Sequence, residues 1–493
     1  MTGNQNQPED GDAVQHVFKI RRDYNTWVAN ESMEDYALRF TPRSYRKWSE
    51  LKVGNTAFSS ASFLVLEAIG ATLLVNYGFV NAAYAILATG IIIFLASIPL
   101  SRYSARYGLD MDLLTRGSGF GYLGSTITSL IYAAFTFIFF ALEAAIMASA
   151  LKLAFGIPLS WGYLMCALIA IPLVTRGISS ISRLQTLTQP IWLILLVLPY
   201  LFLLTRGSNE LQGLFGYGGR EGASGFDFHL FGASLTVSMA IIAQMGEQAD
   251  YLRFMPGRTS ENRRRWLAAV FIGGTGWLIL SAIKMFGGAL LAYLAISHAV
   301  PEDLAVNPNQ MYLTAYRHVF PAFGWAVAAT AAFVIISQLK INVTNAYAGS
   351  LAWSNFFSRL THSHPGRVVW VVFNTLIALM LMELDLLQVM DRVLGLYSNV
   401  AVAWMMSVVA DLVINKPLGY SPPGIEFRRA YLYDINPVGI GAMGLSSILS
   451  ISAYLGLMGR TMQPFAIFFA LFLPFVISPL IARATKGRYC SAL

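Results

Sequence analysis

One apolar stretch of the chain carries polar side chains at the spacing of a helix face. Within residues 231–256, Gln244, Glu247, Gln248 and Tyr251 occupy positions i, i+3, i+4 and i+7. An ionisable residue at membrane depth costs roughly 2.5 kcal/mol or more, so it usually faces a cavity or a partner. Carboxylate and amide groups on one face can hydrogen-bond a polar solute. The spacing therefore predicts that Gln244, Glu247 and Gln248 contact a substrate inside a membrane protein.

The end of the same stretch has a simpler interpretation. Asp250 and Arg253 stand next to a basic segment, and we expect them to lie already in water at the helix end. A helix end leaving the membrane is also the alternative for Gln244 and Glu247. Their position midway along the run favours the site.

A second apolar run places an aromatic ring and a carboxylate on one face. Phe139 and Glu143 are separated by four residues in the sequence IYAAFTFIFFALEAAIMA. A planar heterocycle can stack on the ring while its N–H groups donate to the carboxylate. Ordinary packing is the alternative for Phe139. The pair predicts a substrate contact.

A third apolar run, near residues 323–347, has polar side chains on two stripes. Gln338, Asn342 and Asn345 form one stripe, and Lys340 belongs to the other. A buried ammonium is costly unless an anion accompanies it. A static ion pair and a group that responds to protons or cations are both open interpretations. The candidate anions are Glu67, Glu143 and Glu247.

The composition places these groups in a membrane. Of the 493 residues, 56% are apolar and 12% are charged, whereas soluble domains carry about 25% charged residues. Apolar runs of about 20 residues recur, which predicts an all-α polytopic membrane protein with about 12 spans. The two cysteines have no zinc spacing, and no nucleophile–base or metal constellation indicates an enzyme or a catalytic residue.

The basic residues alternate along the chain in a way that a membrane explains. Most Lys and Arg residues lie in segments that a cytoplasmic N-terminus would place inside, as in RRR at 263–265. We therefore expect a plasma or cytoplasmic membrane protein with both termini in the cytoplasm. The net charge of +8 does not indicate a nucleic-acid partner, because the basic residues lie between the apolar runs.

Three passages together resemble the nucleobase–cation symporter-1 family, the purine–cytosine permeases. The first is Asp-x-x-Arg-aromatic at 250–254, the second is INVTNAYAGSLAWSNF at 341–356, and the third is SVVADLVINKPLG at 407–419. The resemblance extends over roughly residues 35–485. It implies the leucine-transporter fold: two inverted five-helix repeats, broken first and sixth helices, and two extra C-terminal helices.

The resemblance also implies a division of the chain. We expect a cytoplasmic N-terminal tail with an interfacial segment at 1–50, a first repeat at 51–205 and a second at 206–415. A cytoplasmic linker, two helices and a tail occupy 416–493. Gly70 beside Glu67, and Gly246 beside Glu247, are consistent with helix breaks in the two halves.

Site residues are carried over position by position. In the family, the third span supplies an aromatic residue and, four positions on, a polar one, which match Phe139 and Glu143. The eighth span supplies an asparagine, which matches Asn342 or Asn345. Sodium-coupled members have small hydroxyl residues near the position of Lys340. A tethered ammonium there predicts transport that is independent of sodium and coupled to protons. Lys340 and Glu67 are the candidate coupling residues, and the identity of the coupling ion, H⁺ or Na⁺, is left open.

The sequence thus predicts a secondary active importer of a nucleobase-like or other nitrogen-rich heterocycle, with no cofactor. The alternative is a transporter-like sensor that binds such a ligand and signals through a partner protein. In either case, the expected partners of the protein are the small heterocycle and the lipid bilayer.

Overall fold

The computed structural model describes residues 40–41, 43, 46–206, 211–361 and 365–489. Most of the predicted N-terminal tail, residues 1–39, lies outside these ranges. Within them, the regular structure is helical, with one isolated β-bridge between Phe40 and Leu109. The α-helices are α1 Glu50–Phe58, α2 Val65–Tyr107, α3 Met111–Thr115, α4 Gly124–Phe155, α5 Leu159–Thr175, α6 Ile178–Arg206, α7 Phe228–Ser238, α8 Gln244–Leu252, α9 Arg263–Ala268, α10 Trp277–Ser297, α11 Glu302–Ala305, α12 Pro308–Val319, α13 Phe323–Leu360, α14 Arg367–Glu383, α15 Met390–Ala410, α16 Pro437–Tyr454 and α17 Ala466–Ala484.

Nine helical segments in the described part of the chain are long and apolar enough to cross a membrane. The longest, Val65–Tyr107, contains a break at Gly78, where φ is 76° and ψ is 163°. Only glycine adopts this backbone without strain, and a Cβ there would approach the Ala223 carbonyl oxygen to 2.8 Å. The prediction of an all-α membrane protein is confirmed, while the number of spans and the repeat pattern stay predictions.

The first apolar span is interrupted between α1 and α2. A 3₁₀ turn, Ser59–Ser62, follows α1, and Phe63 is extended with φ −62° and ψ 139°. Serine side chains compete with the helix by bonding nearby backbone groups, which favours an interruption in this serine-rich turn. The interruption leaves the N–H groups of Leu64 and Val65 and the carbonyl groups of Ala61 and Phe63 to bond with side chains. We call residues 59–64 the α1–α2 break.

A milder irregularity separates α7 from α8. Residues Met239–Ala243 form a 3₁₀ turn, and the residues at both of its caps have right-handed helical angles. The backbone therefore stays helical from α7 through α8. Gly246, expected to mark a break, instead lies inside α8, where a Cβ would meet the Tyr132 ring at 2.5 Å. Gly70 likewise lies inside a helix. Both glycines allow close helix packing, and the interpretation of either as a break is wrong.

Close packing of α2 on α10 positions the buried charges. A Cβ at Gly70 would overlap the backbone of Met285, and one at Gly288 would overlap the backbone of Glu67. Small residues let two helix backbones approach in a membrane. The contact brings the α10 side chains directly against the α1–α2 break.

Candidate functional site

Glu143, on α4, binds the start of α2. Its two carboxylate oxygens accept hydrogen bonds from the backbone N–H groups of Leu64 and Val65, each at 3.3 Å. It also accepts a hydrogen bond from the Gln338 side chain of α13. These N–H groups lack helical partners and carry the positive end of the helix dipole, so a buried carboxylate is stabilised there. Three helices therefore meet at this carboxylate.

Phe139 lies one turn before Glu143 and is 1% exposed. Its ring centroid is 4.4 Å from that of Phe135 and 6.2 Å from that of Phe63 in the break. The three rings form an aromatic wall beside the carboxylate. The stacking and carboxylate roles given to Phe139 and Glu143 stay predictions.

Gln244 and Glu247 lie together at the start of α8, fully buried. The Gln244 amide donates to Glu247 Oε2 at 2.8 Å. Glu247 Oε1 is buried and has no hydrogen-bond partner among the described residues. Thr344 of α13 lies next to Glu247 and Tyr251. Glu247 thus presents its carboxylate beside Thr344 at the contact between α8 and α13.

Asn342 and Asn345 lie on the same segment of α13, and both are 0% exposed. Neither the nitrogen nor the oxygen of either side-chain amide has a hydrogen-bond partner within the described ranges. Buried amides are normally paired, and each one left unpaired costs about 1–3 kcal/mol. The α13 segment from Gln338 to Asn345 therefore contacts Glu143 at one end and lies near Glu247 at the other. The two unsatisfied amides lie on this segment.

Gln248 points away from this group. Its amide donates to the hydroxyl of Ser101, and its oxygen accepts from Trp277 Nε1 at 2.7 Å. Both of its polar ends are thus engaged with α2 and α10. Its assignment to the substrate stays a prediction, without support from these contacts.

Asp250 and Arg253 are buried, with 2% and 3% exposure, so the expectation that they lie in water is wrong. Asp250 accepts from Tyr132 Oη at 2.9 Å and from the backbone N–H of Met111 at 3.2 Å. Arg253 donates to Tyr347 Oη at 2.8 Å. The short helix α3 and the long helices α4 and α13 cover this end of α8, which the sequence alone does not indicate.

Glu67, on α2, is paired with Lys284 of α10. Their charged atoms are 3.3 Å apart, and Tyr312 of α12 donates to the carboxylate at 3.0 Å. The same ammonium donates to the backbone carbonyl of Ala61 at 3.0 Å and to that of Phe63 at 2.5 Å. Lys284 is therefore the cation at the break. Nothing in the sequence indicated Tyr312.

Lys340 lies elsewhere. Its ammonium donates to Gln189 Oε1 at 2.7 Å, to the Gln185 carbonyl at 3.2 Å and to Thr188 Oγ1 at 3.4 Å. These groups are neutral and belong to α6. Within the described ranges Lys340 therefore forms no static ion pair with Glu67, Glu143 or Glu247, which was one of the two interpretations left open by the sequence. Gln189 is the closest acceptor of Lys340.

A buried charge network joins α3, α4 and α13. Asp112 accepts from both Arg116 and Arg359, and from Ser129 at 2.6 Å. Arg359 also donates to Ser125 at 2.6 Å. None of these residues stands out in the sequence, because each lies in a segment typical of a basic loop or a helix end. No group of three His, Cys, Asp or Glu residues among the described residues could hold a metal ion.

A sequence model of a permease family matches residues 41–423 of this chain. The family is described as permeases for cytosine/purines, uracil, thiamine and allantoin. The chain belongs to this family. It is therefore a multi-pass membrane transporter and not an enzyme, which confirms the resemblance drawn from its three motifs. A search of curated protein sequences found no match.

Solved structures share the fold at low sequence identity. Mhp1, a nucleobase-cation-symport-1 family transporter in a closed conformation with bromovinylhydantoin bound, is 16% identical with a TM-score of 0.66. The match covers 93% of this chain and 99% of that one. Mhp1 in an inward-facing conformation is 17% identical with a TM-score of 0.64, over 90% and 93%. A substrate-bound, outward-open Na⁺-coupled sialic acid symporter is 13% identical with a TM-score of 0.63, over 93% of each chain.

Proposed function

We propose that this permease imports a small nitrogen-rich heterocycle, of the nucleobase or hydantoin type, by alternating access coupled to a cation. The observation that carries the proposal is the pair of unsatisfied buried amides, Asn342 and Asn345, on the α13 segment between Glu143 and Glu247. An amide offers two donors and two acceptor sites. It is therefore complementary to the alternating N–H and C=O groups of such a ring.

Each contributor has a defined role in this proposal. Glu247 Oε1 accepts an N–H group of the substrate, and Gln244 holds the other carboxylate oxygen in place. Phe139 offers a flat aromatic face beside Glu143. Permeases of this family, and the hydantoin bound to the similar Mhp1 structure, support the substrate class.

The proposed architecture has about 12 spans in two inverted repeats, residues 51–205 and 206–415, followed by two helices. Both termini lie in the cytoplasm. The α1–α2 break and the 3₁₀ turn between α7 and α8 support it, because they stand at corresponding places in the two halves. On this orientation the Asp112–Arg359 network lies on the cytoplasmic side.

Coupling in this proposal passes through Glu67 and a buried lysine, with either H⁺ or Na⁺ as the coupling ion. Substrate and cation together favour the state whose outer path is closed, so that each raises the affinity for the other. Lys340 is one candidate for the lysine, and Lys284 is the one that pairs with Glu67.

The test begins with a thermal-shift screen of purified protein against purines, pyrimidines, hydantoins, allantoin and cationic heterocycles. Compounds that raise the melting temperature are then assayed as radiolabelled substrates in proteoliposomes, with protein-free liposomes as the control. Accumulation above equilibrium under a cation gradient is expected. Tight binding without any accumulation would contradict the importer and favour a sensor.

A further inference from the structure

The α1–α2 break presents its oxygens to a positive charge. Nζ of Lys284 lies 3.0 Å from the carbonyl oxygen of Ala61, 2.5 Å from that of Phe63 and 3.3 Å from Glu67 Oε2. Its side chain is 1% exposed. An ammonium has three donors, and three oxygens surround this one. Two of these contacts are hydrogen bonds to the break, and the third is an ion pair with Glu67.

This set of oxygens is of the kind that proteins use for a free cation. Carbonyl oxygens released by an unwound transmembrane helix coordinate coupling ions, and a carboxylate adds the compensating charge. The rings of Phe63 and Trp192 lie with their centroids 5.8 Å from the same ammonium and present further favourable surfaces to a cation. Here the chain's own side chain occupies the position.

A structural ion pair alone would explain the contact with Glu67 but not the other two contacts. Both carbonyl groups belong to the segment that joins α1 to α2, whereas Lys284 belongs to α10. The ammonium therefore holds the break from outside, as a bound ion would. A separation of α10 from the break would remove the charge together with these contacts.

Lys340 provides an internal comparison. Its ammonium lies 5.6 Å from the same Trp192 ring, on a different set of acceptors. Those acceptors are neutral groups of α6, and none of them belongs to residues 59–64. Of Lys284 and Lys340, Lys284 has the contacts of a cation at the break.

We infer that the Lys284 ammonium is a resident cation that takes the place of a metal ion at the α1–α2 break, so that transport does not require sodium. The inference rests on the proposed importer and deepens it, since it assigns the coupling site. The tethered cation that the sequence suggested at Lys340, on α13, is thereby assigned to Lys284 on α10.

The experiment measures uptake into proteoliposomes in sodium medium and in medium where choline replaces sodium. Wild-type uptake is expected to be the same in both. Without sodium, Lys284→Ala should bind substrate about 5- to 150-fold more weakly, the usual range of coupling between sites, and its uptake should fall accordingly. Sodium or methylammonium should restore part of that uptake. Lys340→Ala is the comparison variant: whatever its level of uptake, that uptake should not acquire sodium dependence, because the acceptors of Lys340 lie outside the break.

Because Lys284→Ala leaves Glu67 without its cation, the double variant Lys284→Met with Glu67→Gln is tested beside it. This pair keeps the volume and removes both charges, so it separates folding from coupling. Sodium-dependent uptake by the wild type, or a sodium requirement created by Lys340→Ala instead, would overturn the inference.

A binding measurement separates this inference from the proposed function. The melting temperature of the purified wild-type protein is measured with sodium and with choline, with and without a screened ligand. Equal ligand-induced shifts in the two media support the resident cation, even if no compound accumulates and the importer fails. A sodium-dependent shift overturns the resident cation and leaves the importer standing.

Discussion

Replacing Asn342 or Asn345 with alanine should weaken substrate binding without lowering the stability of the free protein. Both amides are fully buried and have no partner in the described part of the chain. Each unpaired amide costs about 1–3 kcal/mol. Removing it recovers that free energy, which offsets the packing lost with the side chain.

A satisfied amide elsewhere in the bundle is the matched control. Asn399 on α15 is also 0% exposed, but it donates to the Gly395 carbonyl at 2.7 Å and accepts from Ser450 at 2.6 Å. Asn399→Ala loses two hydrogen bonds of about 0.5–1.5 kcal/mol each and leaves the buried Ser450 hydroxyl with one partner fewer. The expected loss of stability is about 1–3 kcal/mol.

The assay compares melting temperatures of the three variants in detergent, then titrates each with a ligand from the screen. Asn342→Ala and Asn345→Ala should melt near the wild type and bind about 5- to 150-fold more weakly, which corresponds to 1–3 kcal/mol per lost contact. Asn399→Ala should melt lower and keep its affinity. If Asn342→Ala and Asn345→Ala melt as low as Asn399→Ala and bind normally, the amides are structural and the site assignment is wrong.

Three further outcomes follow from the packing. Asp112→Asn removes the carboxylate that Arg116 and Arg359 share, and should lower the stability by about 3–5 kcal/mol. Arg220→Gln, in an exposed pair, should lower it by no more than about 1 kcal/mol. Thermal melting of both variants checks this. Gly70→Ala forces a Cβ into the α10 backbone and should cost about 1–3 kcal/mol or more, while Gly444→Ala, which meets nothing within 4 Å, should melt like the wild type. Gln248→Leu should lower the melting temperature through its lost contacts on α2 and α10 and leave ligand affinity unchanged; a weaker affinity at normal stability would return Gln248 to the substrate site.

Sequence reasoning identified the helices that carry the candidate site because periodicity and burial cost are local properties. Glu143, Glu247 and Asn342 are polar groups in long apolar runs, and such groups seldom face lipid. The structure buries all three. The same reasoning could not assign partners, because a helix pattern states which residues share a face and not which helix that face meets.

The lysines illustrate this limit. Both stand in apolar runs, and the sequence favoured Lys340 as the partner of a membrane carboxylate. The structure pairs Lys284 with Glu67, since α2 and α10 approach closely at Gly70 and Gly288. Lys340 faces α6 instead. That choice depends on glycine contacts between distant segments, which no local pattern encodes.

The amino-acid sequence by itself determined the membrane class, the helical architecture and the family, because these follow from composition, from apolar runs and from short motifs read along one chain. Tertiary structure decided which oxygens surround Lys284, why Asp250 and Arg253 are buried, and that Asn342 and Asn345 are left unpaired. Those features arise where helices far apart in sequence meet. The physical reason is that hydrogen bonds and ion pairs act over a few ångströms, so partners are chosen by helix packing and not by position in the chain.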